Sequence, residues 1–250
     1  MSITIHDISV PVGPGMLHYG RQPEKTMVES IANGDDGNVS RWLIGSHTGT
    51  HLDAPGHFVE GGTAIEAVPV ELLVGPARVL DLTFVEGSEA TAEDLLRAGL
   101  ADEPRVLLKT RNSFEALRET VKSPWVGIDA GAAALLVERG VQLVAIDYLT
   151  IDSPAGESGW PVHNILCPAG IAILEVVDLS AIDAGEYLLA TLPVKLVGSE
   201  AAPARTVLIS GDGAWPAVPA MREAAESLAQ SAQIPGENSP KAPSRGVAAG

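Results

Sequence analysis

The sequence is poor in cysteine, in aromatic residues and in positive charge. Cys167 is the one cysteine in 250 residues, which excludes an intramolecular disulfide framework and is typical of a reducing compartment. Sixteen Lys and Arg residues face 32 Asp and Glu residues, giving a formal net charge of −16, and the basic residues are scattered along the chain. A nucleic-acid partner is therefore not expected, because phosphate backbones are bound by clustered positive charge.

Long apolar runs and a secretory signal are missing as well. We therefore expect neither a membrane-spanning helix nor membrane association, and we place the protein in the cytoplasm. With 46% hydrophobic residues, the chain can bury the core of a single domain. Prolines recur among Ala, Ser and Gly after about residue 215, so we predict a folded domain over residues 1–215. Residues 216–250 are predicted to be a largely disordered tail, in which 221–230 could form a short helix.

The folded part alternates runs of Val, Ile and Leu with helix signals, which predicts an α/β fold. Thr91 and Asp94 have the spacing of a capping box, and Asp129 could cap a helix that ends before Gly140. Because strands dominate the last third, a mixed, β-rich sheet or partly closed barrel with flanking helices is favoured over a simple doubly wound sheet. The predicted strands are 42–44, 77–82, 106–108, 141–146, 171–177, 187–197 and 205–209.

Three of the six histidines and an aspartate lie within eleven residues, as His47, His51, Asp53 and His57. In an extended chain all four side chains lie on the same side. At ~3.3 Å per residue, His47 and His51 would be about 13 Å apart, so a turn at residues 48–50, around a glycine, is needed to bring them to one ion.

Two imidazoles and a carboxylate suit Zn²⁺, with Mn²⁺ as the alternative, and leave an open position for water. Such an ion lowers the pKa of bound water towards neutrality and polarises a carbonyl group. His57 lies just beyond and is either a fourth ligand or a free imidazole that moves protons near pH 7. The alternative interpretation is that these are unrelated surface histidines. It is disfavoured because all four side chains lie on the same side of an extended chain.

A second set of candidate ligands lies far along the chain. Glu175 falls in an apolar run that reads as a buried strand, where an unpaired carboxylate costs roughly several kcal/mol. No Lys or Arg occurs between Arg139 and Lys195, so a cation is the simplest partner. His163 could complete a two-metal site that is bridged by Asp53 or Glu175. The alternative is a solvent-facing Glu175 with His163 in an ordinary loop.

The stretch from His47 to His57 fits H-x-G-T-H-x-D-x-P-x-H and resembles the signature of the metal-dependent cyclase-like hydrolases, the family of bacterial kynurenine formamidase and isatin hydrolase. The similarity covers roughly residues 5–210. It implies a cyclase-like fold of the swivelling β/β/α type, usually assembled as a homodimer or homotetramer. It also implies site roles: a first ion bound by His47, His51 and Asp53, a second completed by His163 and Glu175, and His57 as the catalytic proton donor and acceptor.

The resemblance implies hydrolysis of an amide-type C–N bond in a small aryl formamide, such as N-formylkynurenine, or in a cyclic amide, such as isatin. Where the formamidases carry a tryptophan followed by Pro-Gly-Asp, this chain has Tyr19 and Arg21. Tyr19 can stack on an aryl ring, and Arg21 could favour a carboxylate-bearing substrate. The alternatives are a metal-dependent cyclase or lactone hydrolase of secondary metabolism, and a metal-binding protein without catalysis.

Overall fold

A computed structural model describes residues 2–118 and 124–211 of the chain. The predicted tail and its short helix lie outside the described residues. The strands are β1 Ile3–Asp7, β2 Glu24–Glu29, β3 Val39–Leu43, β4 His51–Asp53, β5 Val74–Asp81, β6 Glu89–Ala90, β7 Arg105–Lys109, β8 Gly127–Ile128, β9 Leu143–Ile146, β10 Ala172–Glu175, β11 Gly185–Pro193 and β12 Ala201–Gly211. The α-helices are α1 Val70–Leu73, α2 Ala92–Arg97, α3 Ala130–Glu138 and α4 Pro161–Leu166.

Seven of the strands form a closed, barrel-like sheet in the order β12-β11-β5-β7-β9-β10-β4, and β4 pairs with β12 to complete the ring. The pairs β5–β7, β7–β9 and β9–β10 are parallel, whereas the remaining pairs of the ring are antiparallel. This confirms the predicted mixed, β-rich α/β fold. The ring is closed rather than partly closed because the short β4 has a partner on both sides.

Side-chain alternation divides the core between the two faces of this sheet. Val106, Ile146 and Ile173 belong to a cluster that also contains residues of α2, α3 and α4, so this outer face is covered by helices. Leu52 and Leu174 belong to a second cluster on the opposite face, which lines the inside of the ring. The neighbours of these two leucines in β4 and β10 therefore face outwards, towards the helices.

The two helix starts predicted from capping residues are confirmed. Thr91 and Asp94 form a capping box at the start of α2, and the Asp129 side chain accepts a hydrogen bond from the Ala132 amide at the start of α3. The sequence did not predict α4, which is six residues long and starts with a proline. No helix in residues 2–118 and 124–211 has the length and apolar character needed to cross a bilayer.

The strands β2 and β3 form a hairpin that stands apart from the ring as a separate two-stranded sheet. Every residue of both strands is exposed, including the large apolar side chains of Met27, Trp42 and Leu43. An isolated two-stranded hairpin is marginally stable in water, and exposed apolar patches of this kind are typical of interaction surfaces.

Candidate metal centre

The turn before β4 has the conformation that the sequence requires of Gly49. The strand β3 ends at Leu43, and a turn follows over residues 46–50. Gly49 has a φ of +66°, and a Cβ there would lie 2.7 Å from the Val12 side chain. Only glycine fits both conditions, and the turn delivers His51 to the first position of β4.

Strand register brings the distant carboxylate to the histidine stretch. In the antiparallel pair of β10 and β4, Glu175 lies directly opposite His51. Asp53 is two residues after His51 and therefore points to the same side of β4. His163 is supplied by α4, which packs over this outer face of the ring. Local sequence thus fixes two of these side chains, and sheet pairing together with helix packing adds the other two.

The four side chains converge on one buried point. His51 Nε2 lies 3.4 Å from Asp53 Oδ1 and 3.5 Å from Glu175 Oε2. His163 Nε2 lies 3.8 Å from Asp53 Oδ2 and 3.7 Å from Glu175 Oε1. All four residues are at most 3% exposed. The solvent-facing alternative for Glu175 and the loop alternative for His163 are therefore wrong.

His47 and His57 lie next to these four side chains. His47 Nδ1 is 2.8 Å from Asp53 Oδ1, and the ring centroids of His47 and His57 are 4.4 Å apart. The structure thus offers two three-ligand groups, one of His47, Asp53 and His57, and one of His51, Asp53 and Glu175. Asp53 is common to both groups. His47 and His51 approach the same oxygen of Asp53, Oδ1, and their ring centroids are 5.0 Å apart.

Three polar atoms at the centre of the cluster are buried and form no hydrogen bond of good geometry with the described residues, although histidine nitrogens lie near them: His51 Nε2 and both carboxylate oxygens of Asp53. Buried polar atoms in native proteins are almost always satisfied. Imidazole nitrogens and carboxylate oxygens that share one space are satisfied together by a divalent cation. The residues present therefore fit a metal.

Three of the histidines have their second ring nitrogen held by a protein oxygen. His51 Nδ1 lies 2.8 Å from the Gly49 carbonyl oxygen. His47 Nε2 lies 3.2 Å from Glu200 Oε1. His163 Nδ1 is hydrogen-bonded to Asp152, which is fully buried. A ring that donates from one nitrogen presents the lone pair of the other, as metal-binding histidines do.

Sequence reasoning did not find Asp152 or Glu200 as part of this site. Asp152 precedes His163 by eleven residues, and Glu200 lies immediately before β12, which pairs with β4. Ser46 donates a hydrogen bond of 2.6 Å to Glu200 and so ties it to the turn. Neither residue carries a local signal, because both meet their histidines only through tertiary packing.

Charges inside the cluster are strongly coupled. Burial lowers the pKa of His51 and His163, but the facing carboxylates outweigh it and raise these pKa values to about 9 and about 10. Burial and the charge of Asp53 raise the pKa of Glu175 to about 7. Burial acts against the Asp53 carboxylate too, yet the charge of His51 holds its pKa well below the usual value. Protons therefore occupy the places that a cation would take.

His57 differs from the other three histidines. Burial and the neighbouring His47 and His163 lower the pKa of His57 to about 4, against the opposing charge of Asp53. No hydrogen bond joins its ring to any part of the chain that the structure describes, although the ring packs edge-on against Phe58 with centroids 4.7 Å apart. Without metal its imidazole is therefore neutral at pH 7.

The two residues predicted to contact substrate lie in different surroundings. Tyr19 donates a hydrogen bond of 3.1 Å to Glu157, and its ring lies 6.4 Å from that of Trp160. The Trp160 ring is in turn 5.9 Å from His163, so Tyr19 is joined to the cluster by an aromatic contact. Arg21 forms a 3.3 Å ion pair with Glu24, and its side chain is 79% exposed.

Comparison with known proteins agrees with this geometry. Residues 6–153 match the model of the Cyclase family, described as "Putative cyclase". The kynurenine formamidase of Salinibacter ruber (strain DSM 13855 / M31) is 34% identical over 205 residues, which cover 81% of this chain and 95% of that protein.

Solved structures share the fold. A potential metal-dependent hydrolase with cyclase activity is 34% identical, with a TM-score of 0.73 and coverage of 84% of this chain and 100% of the other. Isatin hydrolase A from Labrenzia aggregata shares the fold at 22% identity, with a TM-score of 0.72 and coverage of 83% and 93%. These matches confirm the family predicted from the His47–His57 signature: the chain belongs to the cyclase family of metal-dependent hydrolases.

Proposed function

We propose that the protein hydrolyses an amide-type C–N bond in a small aryl formamide or cyclic amide, with a divalent metal at the Asp53 cluster. The observation that carries this proposal is the set of buried atoms of His51 and Asp53 that lack a well-formed hydrogen bond, beside a neutral His57. The 34% identity to a kynurenine formamidase supports the choice of reaction.

We propose Zn²⁺ as the metal, with Mn²⁺ as the alternative, and two ions that share Asp53. Asp53 supports two ions, because its Oδ1 faces His47 and His51 while its Oδ2 faces His163. Several imidazoles together with carboxylates are the ligand set that zinc favours in proteins. His163 is proposed to complete the group of His51, Asp53 and Glu175, since its Nε2 lies within 4 Å of both carboxylates.

The bound metal would supply Lewis acidity towards the substrate carbonyl and the attacking water. His57 is proposed to accept a proton from this water and to pass it to the leaving nitrogen, because its ring is neutral and unrestrained by hydrogen bonds from described residues. For an aryl formamide, the C–N bond breaks and one water is consumed, which gives the free arylamine and formate. Phe58 stacks on His163 at 4.6 Å and keeps water away from that face of the ring.

We propose that the aryl group of the substrate packs against Tyr19 and Trp160. The support is that the 36% exposed Tyr19 adjoins the Trp160 ring, which in turn adjoins His163. Arg21 remains a predicted partner for a substrate carboxylate. To bind a substrate carboxylate, Arg21 would have to release Glu24, with which it forms an ion pair in this structure.

The proposal is tested by hydrolysis assays on N-formylkynurenine and isatin with the purified chain. Turnover should disappear after dialysis against a chelator and return on addition of Zn²⁺ or Mn²⁺. His51→Gln should abolish turnover. The matched control is His6→Gln, because His6 bonds to Ser210 on β12 and contacts no residue of the cluster. Turnover that survives complete metal removal would refute the mechanism.

The matching family is described as a cyclase, so a second candidate reaction is cyclisation or lactone opening at the same site. Product analysis with linear acids and lactones in the same assay separates it from amide hydrolysis. A metal-binding protein without catalysis predicts no turnover of any of these compounds, although it predicts the same metal content.

We also propose that the protein is a homodimer or homotetramer in which a second copy covers the β2–β3 hairpin. The exposure of Met27, Trp42 and Leu43 at 49%, 40% and 54% supports a covered surface. In sedimentation analysis Trp42→Glu should lower the mass towards that of the monomer. Leu96→Glu, at an equally exposed leucine on α2, is the control that should leave the mass unchanged.

For location we propose the cytoplasm. The single cysteine, Cys167, is buried as a free thiol, and burial raises its pKa to about 12. Such a thiol is unreactive and suits a reducing compartment.

A further inference from the structure

We propose that Asp152 is a positioning residue, which sets the orientation of the His163 ring and the nitrogen that this ring offers to the metal. The inference rests on the metal site of the proposed function but not on the reaction. Among the described residues, the Asp152 side chain accepts hydrogen bonds from the amides of Val162 and His163 and from the ring of His163, and from no member of the two three-ligand groups.

Both carboxylate oxygens of Asp152 act as acceptors. Oδ1 accepts a 2.9 Å hydrogen bond from the Val162 amide. Oδ2 accepts from the His163 amide at 3.3 Å and from His163 Nδ1 at 2.5 Å. One carboxylate therefore holds the backbone and the ring of the same residue. The ring has little freedom to turn while these three bonds persist.

The same contacts satisfy backbone amides at the start of α4, where the helix has no side-chain cap of its own. Trp160 precedes the helix with a φ of 52° and supplies no side-chain cap, and Pro161 has no amide hydrogen. The first free amides of the helix belong to Val162 and His163, and Asp152 accepts from both. The Asp152 carboxylate, which comes from another segment, thus takes the role of an N-cap. It fixes the helical turn that carries His163.

Asp152 is itself rigidly placed. Asp152 is fully buried, and its backbone carbonyl oxygen accepts a hydrogen bond of 2.9 Å from the Trp125 indole N–H. Its backbone packs so closely against Gly127 that a Cβ on this glycine would lie 2.6 Å from the Asp152 carbonyl oxygen. The carboxylate is therefore a fixed reference for the ring, as preorganised metal sites require.

With Nδ1–H directed at Asp152, the lone pair of His163 Nε2 points at the space between Asp53 and Glu175. Asparagine cannot replace this carboxylate, because its side chain has one acceptor oxygen and one donor NH₂. It would place a donor against either the Val162 amide or His163 Nδ1–H. Loss of such a partner typically weakens metal binding by roughly 10–100-fold.

The test is the affinity of the purified full chain for Zn²⁺, measured by competition with a chromophoric chelator. Asp152→Asn should weaken binding by roughly 10–100-fold. The matched control is Asp147→Asn. Asp147 is equally buried and accepts hydrogen bonds from Thr110, Asn112 and Ser113, but it bonds to no histidine among the described residues. The control should lose stability and keep its affinity for zinc.

A double-mutant cycle separates positioning from general destabilisation. In a His163→Gln background, Asp152→Asn should cost no further affinity, since Asp152 acts through this ring. In ¹⁵N NMR of the zinc-loaded protein, one slowly exchanging imidazole N–H signal should be lost in Asp152→Asn and retained in Asp147→Asn. If Asp152→Asn does not fold, Asp152→Glu moves the oxygens by one methylene and should show the same loss.

Wild-type zinc affinity in Asp152→Asn, an equal loss in Asp147→Asn, or no zinc binding by the wild-type chain would each overturn the inference. The assay needs no turnover. If no amide is hydrolysed but the zinc affinity falls as expected, the proposed function fails and the role of Asp152 stands.

Discussion

Replacing Glu175 by glutamine tests the metal site through stability, without a substrate. Glutamine keeps the shape of the side chain and an oxygen that can accept the 2.8 Å hydrogen bond from the Ile151 amide. Because burial and the charge of Asp53 raise the pKa of Glu175 to about 7, its neutral form is already populated near pH 7 without metal. In the presence of a chelator we therefore expect Glu175→Gln to change the free energy of unfolding by less than about 1 kcal/mol.

With zinc the two proteins should differ. Glu175 belongs to the group with His51 and Asp53, and glutamine removes the anionic ligand. If zinc binds at least about 100-fold more weakly, saturating zinc stabilises the variant by about 2.7 kcal/mol less than the wild type. For a folded domain of this size, that difference lowers Tm by about 5–10 °C.

The assay is thermal unfolding of both proteins with chelator and with zinc at a free concentration far above the wild-type Kd. The same zinc-induced rise in Tm in both proteins would show that Glu175 is not a ligand. A large loss of stability already in chelator would assign Glu175 a structural role instead.

Three further predictions concern proton transfer, pH and the turn. His57→Ala should lower kcat by about 10²–10⁴-fold in the hydrolysis assay while zinc affinity stays unchanged in the chelator competition; unchanged kcat would remove His57 from catalysis. The raised pKa values of His51 and His163, about 9 and about 10 against an ordinary 6.5, leave both protonated at pH 7 without metal. Zinc must displace these protons, so its apparent affinity should rise from pH 7 to 9, and calorimetry in two buffers should detect proton release; a pH-independent affinity contradicts this. Gly49→Ala should lower the free energy of unfolding in urea by more than the roughly 1–2 kcal/mol of a left-handed alanine. The control is Gly61→Ala, because Gly61 has a similar φ of +68° with nothing within 4 Å, and equal losses would exclude the contact with Val12.

The fold could be predicted at the level of class and of most strands, because apolar runs and caps are local signals. The capping box of α2 and the Asp129 cap of α3 are confirmed for that reason. Closure of the ring could not be predicted. It depends on β4, a strand of three residues that pairs with both β10 and β12, and such a short segment has no periodicity to recognise.

The sequence by itself determined the ligand types, the glycine turn and the family, because His47, His51, Asp53 and His57 lie within one short stretch whose spacing is set by the covalent chain. Tertiary structure alone decided which groups these ligands form. Glu175 reaches His51 through strand register, and Asp152 and Glu200 reach their histidines through the packing of α4 and β12. Contacts between segments far apart in sequence depend on where whole elements lie, and no local pattern of residues encodes that position.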